Sequence, residues 1–387
     1  MDVPTKYILS QATYKAAFKV SSAIEKHFAY QLSAAAASGE KNLAPEPDKH
    51  VIEAIIDTAF WASLRKEEGR SPKISLAFLP PEKSERPLIF EYPLALTAEI
   101  LNKLSPAVER PGIHLGVWQE EGELYIWGTT QEIPGFCFVL EVVEPGLLVV
   151  KHRRIDGFGK FVNVAVLQGD SVKIVDEQSL SLPDCPKMLN SLLGFTQTTS
   201  WNSAINLHVQ LAVSMRAHGR GGALLVVPSA DDSWRDSIVQ PISYPVYPAF
   251  NRLSELMNKE VSRRNLAAWQ EELSDEIEGV AGLTAVDGAT IINDKHELLA
   301  FGAKITRSPG RESVKQMMLT EPIIDTSALI MAPSSYGGTR HFSAAQFVFD
   351  QRDAFALVAS QDGRFTIFSW SPCDDIVHAH RVDTLLL

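Results

Sequence analysis

The run Gly221-Gly222-Ala223-Leu224-Leu225-Val226-Val227 constrains the fold more than any other stretch of this chain. Before it, residues 201–217 place Ile205, Val209, Ala212 and Val213 on one face of a helix. The glycines end that helix, and the run that follows has no polar side chain on either face. A strand apolar on both sides must be covered on both sides, as a central strand of an α/β sheet is. His218 and Arg220, at the join, could meet a phosphate, but a cation offsetting the helix C-terminal dipole is the simpler assignment.

Composition narrows the function classes. The 387 residues suffice for two domains, and 45% hydrophobic with 21% charged residues is globular composition. A net charge of −11 argues against a DNA-coating surface, which needs a basic face to release counterions. Cys137, Cys185 and Cys373 are too scattered for a zinc site or a disulfide framework. No apolar run reaches the roughly 18 residues of a membrane span, and the N-terminus lacks a signal-peptide pattern. These features make a cytoplasmic protein without membrane attachment the expectation.

The chain divides by pattern. Residues 5–37 and 51–66 have helical periodicity, with Phe18, Ile24, Phe28 and Leu32 in the first and Ile52, Ile55, Ile56 and Phe60 in the second. From Pro72 the period becomes that of strands: 73–79, 88–92, 114–119, 124–129, 136–143, 146–152, 161–167 and 171–175, with a helix over 97–104. Lys151-His152-Arg153-Arg154 looks like a solvated strand end. Residues 178–200 are polar and broken by prolines, which sets a boundary between an α+β domain over 1–190 and a second domain over 191–387. The expected fold class is α/β in two domains, the second a mixed sheet flanked by helices.

Two polar loops stand out in the second domain. Asp287-Gly288-Ala289 puts a carboxylate on a glycine turn at the entrance of a β-branched strand. Gly337-Gly338-Thr339-Arg340-His341 packs two glycines, a hydroxyl, a guanidinium and an imidazole into the start of a helix, where backbone N–H groups and an arginine fork suit phosphate oxygens. A hairpin over 291–305 and a long variable connection over 306–333 separate them. Strands over 354–360 and 364–370 follow, joined at Gln361-Asp362-Gly363.

In that order, Gly222 to Val227, Asp287-Gly288-Ala289, Gly338-Thr339-Arg340-His341-Phe342-Ser343-Ala344 and Ser360-Gln361-Asp362-Gly363 resemble the diadenylate cyclase (DAC) domain over about 200–375. The family pattern is a DGA loop, a Gly-Thr-Arg-His-Arg loop and a strand ending in Ser-Glu-Glu. The resemblance implies that Asp287 and His341 serve Mg²⁺ or Mn²⁺, with Asp287 catalytic if the domain is active. It implies that Gly288, Ala289, Gly338, Thr339, Arg340 and Ser360 hold ligand, and that two nucleotide-bound domains face each other, so a homo-oligomer is compatible with it.

Two departures bear on activity. Phe342 stands where the family has its second arginine, removing five N–H donors and a permanent charge. Gln361 replaces the first glutamate, removing a negative charge from a cation site. One lost phosphate contact weakens binding by about 1.5–3 kcal/mol, whereas losses of that size at two transition-state contacts multiply into orders of magnitude in rate. The chain is thereby similar to the DACNV type of sensor, a DAC-like core with added N-terminal sequence. The expected function is a sensor of a nucleotide or cyclic dinucleotide. The alternative is an active nucleotidyltransferase that makes cyclic di-AMP from two ATP, with Asp362 standing in for the missing carboxylate.

Overall fold

A computed structural model describes residues 12–66, 69–153, 161–175, 207–259 and 267–387. By contacts the chain forms two units, residues 1–175 with Leu387, and residues 176–386. The proline-broken segment over 178–200 lies outside the described residues, as do Cys185 and Arg154.

In the first unit, α1 (Lys15–Ala37) and α2 (Lys49–Ser63) bring Val20, Ile24, Phe28, Ile52, Ile55 and Ile56 against one face of an eight-stranded sheet. Asp48 caps α2, accepting from the backbone N–H of His50 and Val51. The strands are β1 (Ile74–Phe78), β2 (Leu88–Ala95), β3 (His114–Glu120), β4 (Glu123–Thr130), β5 (Phe138–Glu144), β6 (Leu147–Arg153), β7 (Phe161–Gln168) and β8 (Ser171–Ile174). Their order is β2-β4-β3-β1-β5-β6-β7-β8, with β1 and β3 parallel. The crossover between that pair contains α3 (Ala98–Leu104), which packs on the same face as α1 and α2. Lys151 and His152 are buried on β6, and Lys151 Nζ meets Glu141 2.5 Å away on β5. Lys151 and His152 are thus strand interior, with the lysine charge met by Glu141, and not part of a solvated end.

The second unit has a nine-stranded sheet: β9 (Gly222–Val227), β10 (Tyr244–Phe250), β11 (Ala289–Asn293), β12 (Leu298–Ala303), β13 (Met317–Thr320), β14 (Leu329–Met331), β15 (Phe355–Ala359), β16 (Phe365–Ser371) and β17 (Ile376–Arg381). The order is β10-β12-β11-β9-β15-β16-β17-β13-β14, again with one central parallel pair, β9 and β11. Every residue of β9 and β11 is buried, as apolarity on both faces of Ala223 to Val227 requires. The helices α4 (Leu207–Ala217), α5 (Arg252–Met257) and α6 (Ala267–Leu283) cover one face. On the other lies α7 (Thr339–Asp350), seated by Ala344, Ala345, Phe347 and Val348. The long connection over 306–333 is not structureless, since it contributes β13 and β14 to the sheet edge.

Candidate functional site

Four segments meet at one edge of the second sheet: the entrances of β9 and β11, the β15–β16 turn and the N-terminus of α7. The parallel pairing of β9 with β11 and the antiparallel pairing of β9 with β15 bring these ends to the same side.

The entrance of β9 is built by close approach. A Cβ on Gly222 would lie 2.4 Å from the carbonyl oxygen of Thr284, so no other residue fits without moving that backbone. His218, just beyond α4, closes the corner. Its Nδ1 accepts from the backbone N–H of Arg220 at 3.1 Å, leaving Nε2 as the protonated nitrogen that meets Thr284 Oγ1 at 3.2 Å. Burial, then the charge of Arg220, lowers the His218 pKa, so it acts as a neutral latch. This corrects its assignment as a cation on the helix dipole.

Gly221 has φ +69° and faces the α7 loop. A Cβ there would lie 3.1 Å from Arg340 Nη1, 3.2 Å from the Ala359 carbonyl and 3.3 Å from Gln361 Cγ, so the Arg340 guanidinium lies against the glycine corner. Arg340 is half-buried and enters none of the ion pairs among the described residues. Gly338 is the N-cap of α7 and has open space beside it, and Thr339 is exposed.

Asp287 is highly exposed and ion-paired to Lys304. The Lys304 hydrogen bond and charge lower its pKa, and the Arg340 charge adds to them, so the two loops share one electrostatic neighbourhood. The β11–β12 register, Ala289 opposite Ala303, sets Lys304 beside the acid. Gly288 at φ +113° makes this possible: a Cβ there would fall 2.4 Å from the Gly302 carbonyl carbon.

The β15–β16 turn is tight. Ser360 N–H donates to the Arg364 carbonyl at 2.8 Å, Gly363 N–H donates to the Ser360 carbonyl at 3.2 Å, and Gly363 has φ +84°. A hydrogen bond from Ser360 holds the Asp362 pKa below its usual range, and Arg364 Nε lies 3.2 Å from Asp362 Oδ2. Gln361 Nε2 donates to the Arg220 carbonyl at 3.4 Å, linking the turn to the β9 entrance.

His341 is buried edge-on to Tyr336 and Phe368, and its Nε2 has no hydrogen-bond partner among the described residues. Burial lowers its pKa most, Asp362 opposes, and Arg364 and Arg340 add to the lowering. Asp287 and His341 therefore sense different neighbours, Lys304 on one side and Asp362 on the other, with Arg340 common to both. Among the described residues, no group of three or more His, Cys, Asp or Glu could hold a metal ion. Where a divalent cation would meet Asp287 there is already a lysine ammonium. Phe342 lines a depression with Ile305, Arg307 and Gln346.

Lys304 and Gly221 were not singled out as ligand-binding residues by the sequence, and His218 was weighed for phosphate but assigned to the helix dipole. Lys304 sits at the end of an apolar hairpin, where only the strand register reveals that it faces Asp287.

Residues 41–131 match the family model described as "Probable sensor domain DACNV". The match covers less than a quarter of the chain and runs from before α2 to just past β4 in the first unit. The match thus falls in the half where the motifs suggested no role, while the loops of Asp287 and Arg340 lie in the other half. No curated protein matches the chain. Among the described residues, no helix is long and apolar enough to cross a membrane.

Proposed function

We propose that the second unit binds a phosphate-bearing ligand, a nucleotide or cyclic dinucleotide, and that the chain is a sensor of that ligand and not its maker. The observation that carries this reading is Arg340. A half-buried guanidinium resting on a glycine corner, with no ion pair among the described residues, is poised for an anion brought in from solution. The N-terminal backbone of α7 adds N–H donors beside it. Gly288 and Ala289 shape the opposite wall, and Ser360 fixes the turn through Asp362.

Lys304 supports the choice of sensing over synthesis. It supplies a positive charge at Asp287 without a metal, and Mg²⁺ or Mn²⁺ would have to displace it. Calorimetric titration of the full chain with ATP and with cyclic di-AMP tests the proposal. Saturable binding of either, weakened by about one to two orders of magnitude in Arg340→Ala, is expected from the loss of one charge-assisted contact. Folded protein that gives no heat with either ligand would refute it.

Asp362, which could stand in for the missing carboxylate and whose charge acts on His341, favours a second reading as an active diadenylate cyclase. Incubation with ATP and manganese and mass detection of cyclic di-AMP separates the two readings. Product that disappears in Asp287→Ala would establish the enzyme.

A further inference from the structure

We infer that the two units are copies of one fold, and that the N-terminal copy lacks the ligand site, so the chain carries a single site in its C-terminal copy. The strand orders correspond one to one. Reading β2-β4-β3-β1-β5-β6-β7 against β10-β12-β11-β9-β15-β16-β17, every neighbour and every strand direction is repeated, including the central parallel pair. In both units the helix preceding the first strand and the crossover helix share one face of the sheet.

Sheets of similar size can share an order by chance, but three finer features agree as well. With Leu76 set on Leu224, the partner of each across the next strand is Leu140 or Leu357, and the partner of those is Val150 or Ile367. From the pairs Val142–Leu148 and Ala359–Phe365 both chains reverse through five residues, and the fourth is a glycine at positive φ: Gly146 at +73° and Gly363 at +84°. The first hairpins share a bulge. Gly116 faces Gly128 and Val117 faces Ile126, while Ile291 faces Ala300 and Ile292 faces Leu298, so each second strand carries one extra residue at the same place.

The same superposition shows what the first copy lacks. Asp287 falls on Gly112, Gly221 on Lys73, Ser360 on Val143, Gln361 on Glu144 and Asp362 on Pro145. Between β12 and β15 the second unit spends fifty-one residues, 304–354, on β13, β14 and α7. The first unit joins β4 to β5 with seven, 131–137, so the arginine-bearing loop has no counterpart. The sensor-family match over 41–131 thus covers the copy's counterpart of β9 to β12, which places it and the cyclase-like loops on related folds.

A crystal structure of the full chain tests the duplication. Strands β1 to β7 should superpose on β9 to β12 and β15 to β17 with Gly146 on Gly363. An antiparallel β1–β3 pair, or a register in which the two glycines do not coincide, would overturn it. The loss of the site, which rests on the proposed ligand class, is tested by equilibrium dialysis of the full chain with radiolabelled ATP and cyclic di-AMP. One site per chain, weakened by about one to two orders of magnitude in Arg340→Ala, is expected. Two sites, or one that survives Arg340→Ala unchanged, would show a site elsewhere. Failure of the wild type to bind either probe would defeat the ligand proposal and the assignment of a single site together, leaving the duplication to the crystal structure.

Discussion

Replacing Gly222 by alanine should destabilise the second unit, while the same change at Gly279 should stabilise it. At Gly222 the added methyl would sit 2.4 Å from the Thr284 carbonyl oxygen and 2.8 Å from its Oγ1. Thr284 cannot retreat easily, because it is buried, its hydroxyl donates to the Ala281 carbonyl at 2.6 Å, and His218 latches onto it. Overpacking of this kind costs about 1–3 kcal/mol. Loss of the His218–Thr284 hydrogen bond adds about 1 kcal/mol, so roughly 2–4 kcal/mol is expected. Gly279 lies in α6, and a methyl added there would meet nothing within 4 Å among the described residues, so alanine removes only the entropic cost of glycine in a helix and should gain about 0.8–1 kcal/mol. Urea unfolding followed by tryptophan fluorescence measures both, with each transition fitted separately because two units need not unfold as one. A Gly222→Ala midpoint equal to wild type, or a Gly279→Ala variant that loses stability, would refute the packing argument.

Other outcomes follow from the charges. Burial, then the His296 charge, pushes the His208 pKa down to about 3, and burial, then the His378 charge, does the same to His380. Folded-state values below the unfolded one favour the neutral form, so this stability is present above about pH 6.5 and is lost as pH falls toward 3. Each should contribute a loss of about 2 kcal/mol between about pH 7 and 5, and His208→Phe should remove its share from the measured pH slope. Ligand binding should be unchanged by EDTA in the wild type, whereas Lys304→Gln, which bares the Asp287 carboxylate, should make it depend on added Mg²⁺ or Mn²⁺ in the same titration. Gln361→Glu places a carboxylate at the Gly221 corner against which Arg340 Nη1 also lies, and removes the donor to the Arg220 carbonyl. A tenfold or greater loss of affinity is expected by calorimetry, and an unchanged dissociation constant would show that Arg340 does not face the ligand.

Much of the fold was legible where burial and period coincide. Ala223 to Val227 could only be a covered strand, and the glycine turns at Gly288 and Gly363 followed from residue type. Edge elements were harder to read. β10 carries Pro245 and Pro248 and has no alternating pattern, because an edge strand with exposed side chains needs none. β13 and β14 are too short to show a period, and they pair only because β17 lies beside them. Lys151 reads as a surface charge until its cross-strand neighbour Glu141 is placed. His218 reads as a cation for the same reason, since its neutral state comes from a backbone N–H and a threonine that only the fold brings near. The candidate site divides in the same way. Asp287 and Arg340 were found from local chemistry, but Lys304 and Gly221 belong to it through strand register alone. The repeat of one fold was invisible in the sequence, because a shared strand order leaves only scattered shared residues, such as Leu76 with Leu224 and Gly146 with Gly363, and too few to align.

The central claim, that both loops of the second unit hold one ligand, is tested most directly by hydrogen exchange of the full chain with and without saturating ATP or cyclic di-AMP. Amides of residues 287–289 and 338–341 should slow together, with residues 74–144 unchanged. Saturable binding with protection only in the first unit, or in neither loop, would contradict the account.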